Sequence, residues 1–61
     1  MIGVGQEYRE PDTGFVWVVR SSLAAGVWHL TTKEEVHHCS ERMHLARAVC
    51  TETLQKWERL G

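Results

Sequence analysis

The chain has 61 residues, 43% apolar and 25% charged, with a net charge of −1. This length allows one small domain, residues 1–61, and the balance of apolar and charged residues excludes a disordered polymer. Two cysteines are too few for a disulfide-rich secreted scaffold, the lack of a basic run counts against phosphate neutralisation, and no apolar stretch approaches the ~20 residues of a membrane span.

Chains this short bury little, and the three tryptophans Trp17, Trp28 and Trp57 supply large apolar surfaces to compensate. Met1–Gly5 turns polar at Gln6, so no signal peptide is expected and the cytoplasm is the expected location. Composition shifts near Thr31. Gly3, Gly5, Pro11, Gly14 and Gly26 all precede it, and Thr32 to Leu60 holds neither Gly nor Pro. The shift predicts a β-meander over 1–31 and a helical part over 32–60.

Ile2, Val4 and Tyr8 share one face of an extended segment. Glu10-Pro11-Asp12-Thr13-Gly14 reads as a turn, because Pro11 suits its second position and Gly14 accepts positive φ. Phe15–Val19 is β-branched and aromatic and reads as a strand, with Val27–Leu30 as a third. Phe15, Trp17 and Val19 point one way and Val16 and Val18 the other, so both faces of this strand need cover. Thr32-Lys33-Glu34-Glu35 has the form of a capping box. Val36, Met43, Cys50 and Trp57 recur every seven residues, with Cys39, Ala46 and Leu60 at most of the other core positions, as in a helical stripe. One helix over Lys33–Leu60 would measure about 42 Å against strands of roughly 17 Å, so a break at Cys50-Thr51 is plausible on length grounds. The expected fold is α+β: a three-stranded antiparallel β-meander followed by one or two C-terminal α-helices.

His37-His38-Cys39, His44 and Cys50 are the metal-ligating types. A zinc site would draw on His38, Cys39, His44 and Cys50. On one helix Cys39 and Cys50 stand about 16 Å apart, so zinc requires the helix to break; otherwise no cofactor is expected. There is no phosphate-cradling glycine loop, no His-Glu-x-x-His and no nucleophile with a base and an orienting group. The chain is not expected to be an enzyme, and no residue is assigned a catalytic role.

The opening half carries more aromatic surface than a terminal helix can hide. Tyr8, Phe15, Trp17 and Trp28 therefore form the candidate partner-binding surface, for a protein target or for self-association. A nucleic-acid-binding module is the alternative. It would gather Arg9, Arg20, Arg42 and Arg47 on one face and stack bases on Phe15, Trp17 and Trp28.

Val4-Gly5-Gln6-Glu7-Tyr8, Asp12–Val19, Gly26–Leu30 and Cys50–Trp57 resemble segments of short phage and prophage proteins of SH3-like or Tudor-like type. Those open with a Val-Gly-x-x-Tyr-like strand, a turn and a Trp-Val strand, and close with a strand running into a short helix anchored by Leu and Trp. The resemblance covers about half the chain and departs over Thr32–Ala48, where the family has a loop and a strand. It implies an SH3-like barrel with a short terminal helix as the alternative fold. It implies no catalytic residue. It does imply binding to a protein or nucleic acid in a mobile-element setting, such as a modulator or inhibitor of a host protein.

Overall fold

Gly14 and Gly26, with φ of 76° and 73°, provide the positive φ that two early chain reversals require. Around them the computed structural model, which describes residues 1–61, forms β1 (Glu7–Arg9), β2 (Val16–Ala24) and β3 (Val27–Thr32). Then follow β4 (Val36–His38), β5 (Glu41–Met43), β6 (Ala46–Cys50), the short helix α1 (Thr51–Gln55) and β7 (Glu58–Arg59). β1, β2 and β3 pair antiparallel in sequence order, with Tyr8 opposite Trp17 and Val19 opposite Leu30. β6 adds beside β3 and β7 beside β1, giving one five-stranded antiparallel sheet of order β6-β3-β2-β1-β7. β4 and β5 form a separate two-stranded hairpin.

The nine-residue β2 breaks register against β3 between Val19 and Ser21 and again between Ser22 and Ala24. Such irregularities bend a strand and increase its twist. The bend matters because α1 and two more residues must carry the chain from the β6 edge to the β7 edge. A flat sheet of five strands is roughly 19 Å across. The curved sheet wraps the core, and α1 places Leu54 within it.

The core lies on the concave side. Ile2, Tyr8, Trp17, Val19, Leu30, Val49, Leu54 and Trp57 pack together, with Phe15, Trp28 and Leu45 against them. Val19, Leu30 and Leu54 are completely enclosed. The convex side of β2 is covered at Val18 alone. Val18 is only 8% exposed. Glu7 and Thr31 flank it in the ladder. Lys33 Nζ reaches over β2 to Glu7 Oε1 at 3.1 Å, and Arg20 Nε donates to Thr31 Oγ1 at 2.8 Å.

The helical expectation for 32–60 is overturned, and with it the α+β assignment: strands take 51% of the residues and helix 8%. Thr32 is the last residue of β3. Its hydroxyl, buried at 1% exposure, accepts from Leu45 N at 3.0 Å and caps no helix. Cys39 and Ser40, with φ of 51° and 66°, both lie in the left-handed region and turn β4 directly into β5. Two such residues in succession are what a two-residue hairpin turn of type I′ needs. Val36, His37, His38, Cys39 and Ser40 are all modest helix formers, so little local preference opposed the hairpin. The seven-residue stripe never assembles: Met43, Cys39, Ala46, Cys50 and Leu60 are exposed, and Trp57 alone reaches the core. α1 does start at Thr51, with Cys50 at its N-cap, but it ends at Gln55. β7 replaces the helix expected to continue to Leu60. Its flanks are tied by Leu60 N to Glu7 O and Glu7 N to Gly61 O, both 2.8 Å. No helix is long and apolar enough to cross a membrane.

Leu30→Ala should cost about 2–5 kcal/mol, a large part of the stability of so small a domain. Leu23→Ala, at an exposed site, should stay within about 0.5 kcal/mol. Urea unfolding followed by tryptophan fluorescence checks both.

Candidate functional site

The turn after β1 is held by a carboxylate. Glu10 Oε1 accepts from Thr13 Oγ1 at 2.8 Å and from Trp17 Nε1 at 3.2 Å, and Oε2 accepts from Arg47 Nη1 at 2.7 Å. The Arg47 guanidinium stands 5.6 Å from the centre of the Trp17 ring and 5.4 Å from that of Trp57. Burial pushes the Glu10 carboxyl up. The hydrogen bonds from Thr13, Arg47 and Trp17, together with the Arg47 charge, outweigh it and hold the group below the ordinary 4.5. The backbone agrees: Glu10 N donates to Phe15 O and Gly14 N to Glu10 O, both at 2.8 Å.

This rigid turn forms one wall of an open groove. Gly14, Phe15 and Val16 line one side, and Thr32, Glu34 and Val36 line the other, around about 220 Å³. Lys33 N donates to Val16 O at 2.8 Å and fixes the distance between the walls. Phe15, Val16 and Val36 are half-buried, and Glu34, the charged lining residue, is exposed. The volume is below the ~300–1,000 Å³ of small-molecule sites. It suits one or two apolar side chains of a larger partner.

The structure separates the four aromatic residues expected on one surface. Tyr8 and Trp17, at 5% and 3% exposure, are core residues, and Tyr8 Oη donates to Gln6 Oε1 at 2.7 Å. Phe15 lines the groove. Trp28 Nε1 donates to Thr51 Oγ1 at 3.0 Å and fastens β3 to the start of α1. A curled sheet with two added strands covers aromatic side chains that three strands would leave open.

The four arginines are dispersed as well. Arg47, opposite Leu30 in the ladder, projects to the core side and is held by Glu10. Arg9, opposite Val16, lies on the other side of the sheet, 3.4 Å from Glu58. Arg20 bonds Thr31, and Arg42, on β5, donates to Glu35 O at 3.2 Å. No single face gathers them. The zinc set is not assembled either. His38 pairs with Glu41 in the hairpin, Cys39 is at its turn, His44 Nδ1 is 2.9 Å from Thr32 O, and Cys50 ends β6. Both cysteines are free, and no three His, Cys, Asp or Glu side chains are placed to hold one ion. The Cys50 thiol is pulled below its usual range by its 3.3 Å contact with Thr53 Oγ1.

The sequence pattern places Glu10 in a turn, Glu34 in a capping box and Val36 in a helical stripe, and none of them in a site. Nothing local to Glu10 points to Arg47, thirty-seven residues away. No protein-family model, curated protein or solved structure matches this chain. The groove is therefore interpreted from its own residues.

A carboxyl whose folded value is depressed stabilises the fold above its unfolded value, and that contribution is lost as pH falls through the folded value. Stability in urea should therefore decline as pH drops below 4.5. Glu10→Gln should be less stable at neutral pH, and its stability should decline less steeply over that acid range. Urea midpoints measured across the range test this.

Proposed function

We propose that this chain is a non-catalytic protein-binding module that takes a short segment of a target protein into the Phe15–Val16–Val36 groove. The groove itself carries this reading: an apolar slot left open on a fold whose other large aromatic residues are enclosed or fastened. Its walls are fixed by Glu10 and by the Lys33–Val16 bond, so binding does not have to order them. Glu34 in the lining, with Glu35 and Asp12 exposed nearby in sequence, favours an apolar side chain flanked by Lys or Arg.

The resemblance of the opening and closing segments to short phage and prophage SH3-like proteins supports a mobile-element setting, with a host protein as the target to be modulated or inhibited. In support of that resemblance, β6 runs into α1, and Leu54 and Trp57 serve as its buried anchors.

Selection from a displayed random-peptide library is the test. Enriched sequences should combine an apolar residue with neighbouring basic ones. Val36→Glu should weaken their binding by about tenfold or more, equivalent to ~1.4 kcal/mol, while Leu23→Glu on an unrelated surface should leave it unchanged. Peptides that bind Val36→Glu as tightly as the parent would refute the assignment, as would a selection without enrichment.

A further inference from the structure

A second surface, separate from the groove, is the free edge of β6. Thr32 N donates to Leu45 O and Thr51 N to Gly26 O, both across the β3–β6 register. Antiparallel ladders alternate, so Leu45, Arg47, Val49 and Thr51 direct their backbone groups to β3, while Ala46, Ala48 and Cys50 direct theirs outward. The Cys50 carbonyl caps the first turn of α1 as its N-cap residue. The N–H groups of Ala46, Ala48 and Cys50 and the carbonyls of Ala46 and Ala48 remain, every second residue, along an uncovered edge.

Exposed edges are usually blunted by lysine, proline, bulges or brevity. β7, at the opposite edge, is two residues long, and its Glu58 pairs with Arg9. β6 has five residues, no proline and no lysine. Its only charge, Arg47, is turned inward onto Glu10. The side chains on its outer side are Ala46, Ala48 and Cys50, next to Val27, His29 and Thr31 of β3. None of these is acidic, Lys or Arg.

We infer that β6 pairs antiparallel with β6 of a second copy of this chain, about a two-fold axis at Ala48. In this register Ala48 faces Ala48 of the second copy and Ala46 faces Cys50 of the second copy, so the Ala48 pair exchanges two hydrogen bonds and each Cys50 N–H meets a free Ala46 carbonyl, four bonds in all. The alternative two-fold, through Arg47, uses the same edge but sets two like charges directly opposite, which is destabilising. At Ala48 the axis places Arg47 against Val49 of the second copy. Every outward side chain at the seam is small, and two copies with a net charge of −1 each meet little long-range repulsion. One sheet then runs through both copies, and the groove stays open in each.

Light scattering and sedimentation of the full chain up to about 1 mM provide the test. The wild type should move from 7.0 kDa to twice that mass. Ala48→Lys should remain monomeric, with an unchanged circular-dichroism spectrum and the melting temperature the wild type has at dilutions where it is monomeric. With Cys39→Ser and Cys50→Ser in place, Ala48→Cys should cross-link in oxidised glutathione, two thiols passing two electrons and two protons to that disulfide. Facing Cα atoms in such a pair are about 5.5 Å apart, within disulfide reach. Ala46→Cys in the same background should not cross-link, because its counterpart would be roughly 14 Å away. Val36→Glu should leave the mass unchanged, which separates this result from the groove. A wild type that stays monomeric throughout overturns the inference. So does a dimer that survives Ala48→Lys, or cross-linking through Ala46→Cys as fast as through Ala48→Cys.

Discussion

Glu10 is a carboxylate withdrawn from water, and such a group is tolerated only when its oxygens find partners. Here the partners come from three parts of the chain: Thr13 in the turn, Trp17 on β2 and Arg47 on β6. Arg47 lies near both indoles, so the same contact draws in Trp57 beyond α1. One ion pair therefore links the first turn, the middle of the sheet, its far edge and the closing segment. In a chain with eleven buried residues there is little redundancy behind it. Removing Arg47 would leave the Glu10 carboxylate, only 11% exposed, without its charge partner, which costs more than the pair contributes, whereas Arg47 at 41% exposure would remain hydrated without Glu10.

The strands of the first half were legible because their signals are local. Val16–Val19 consists wholly of β-branched and aromatic residues, and Gly14 and Gly26 mark the reversals. The second half misled because its spacing has two meanings. Across a two-residue turn the third residue before it faces the residue seven positions on, as Val36 faces Met43. A heptad places i and i+7 on one helix face. Val36 and Met43 satisfy both patterns, and the turn that decides between them, Cys39-Ser40, contains neither Gly nor Asn. The buried positions of Tyr8 and Trp17 were hidden for a related reason. A three-stranded sheet cannot enclose them, and the two added strands came from the segments read as helix. Of the candidate site only Phe15 was legible, as an aromatic with uncertain cover.

The two surfaces proposed for recognition differ in kind. The groove offers side-chain contact on a fixed frame, with selectivity from apolar shape and one acidic neighbour. The β6 edge offers backbone hydrogen bonds, with register chosen by where Arg47 lies. The groove is built from the β1–β2 turn and the start of the hairpin, while the edge lies beyond β3. Occupying one leaves the other geometrically free, and a paired molecule would present two grooves fixed relative to each other. A target with two matching segments would then be held by avidity as well as by the contacts in each groove.

The bonds from Leu60 and Gly61 to Glu7 also set a schedule. β1 has no second neighbour until β7 pairs with it. While the ribosome still holds residues 58–61, β1 has one open side and the concave face lacks the Trp57 anchor. The domain therefore closes only once this segment has emerged. Until then Tyr8, Trp17 and Leu30 are without their full cover, a window in which a nascent chain is open to chaperones and to misassembly.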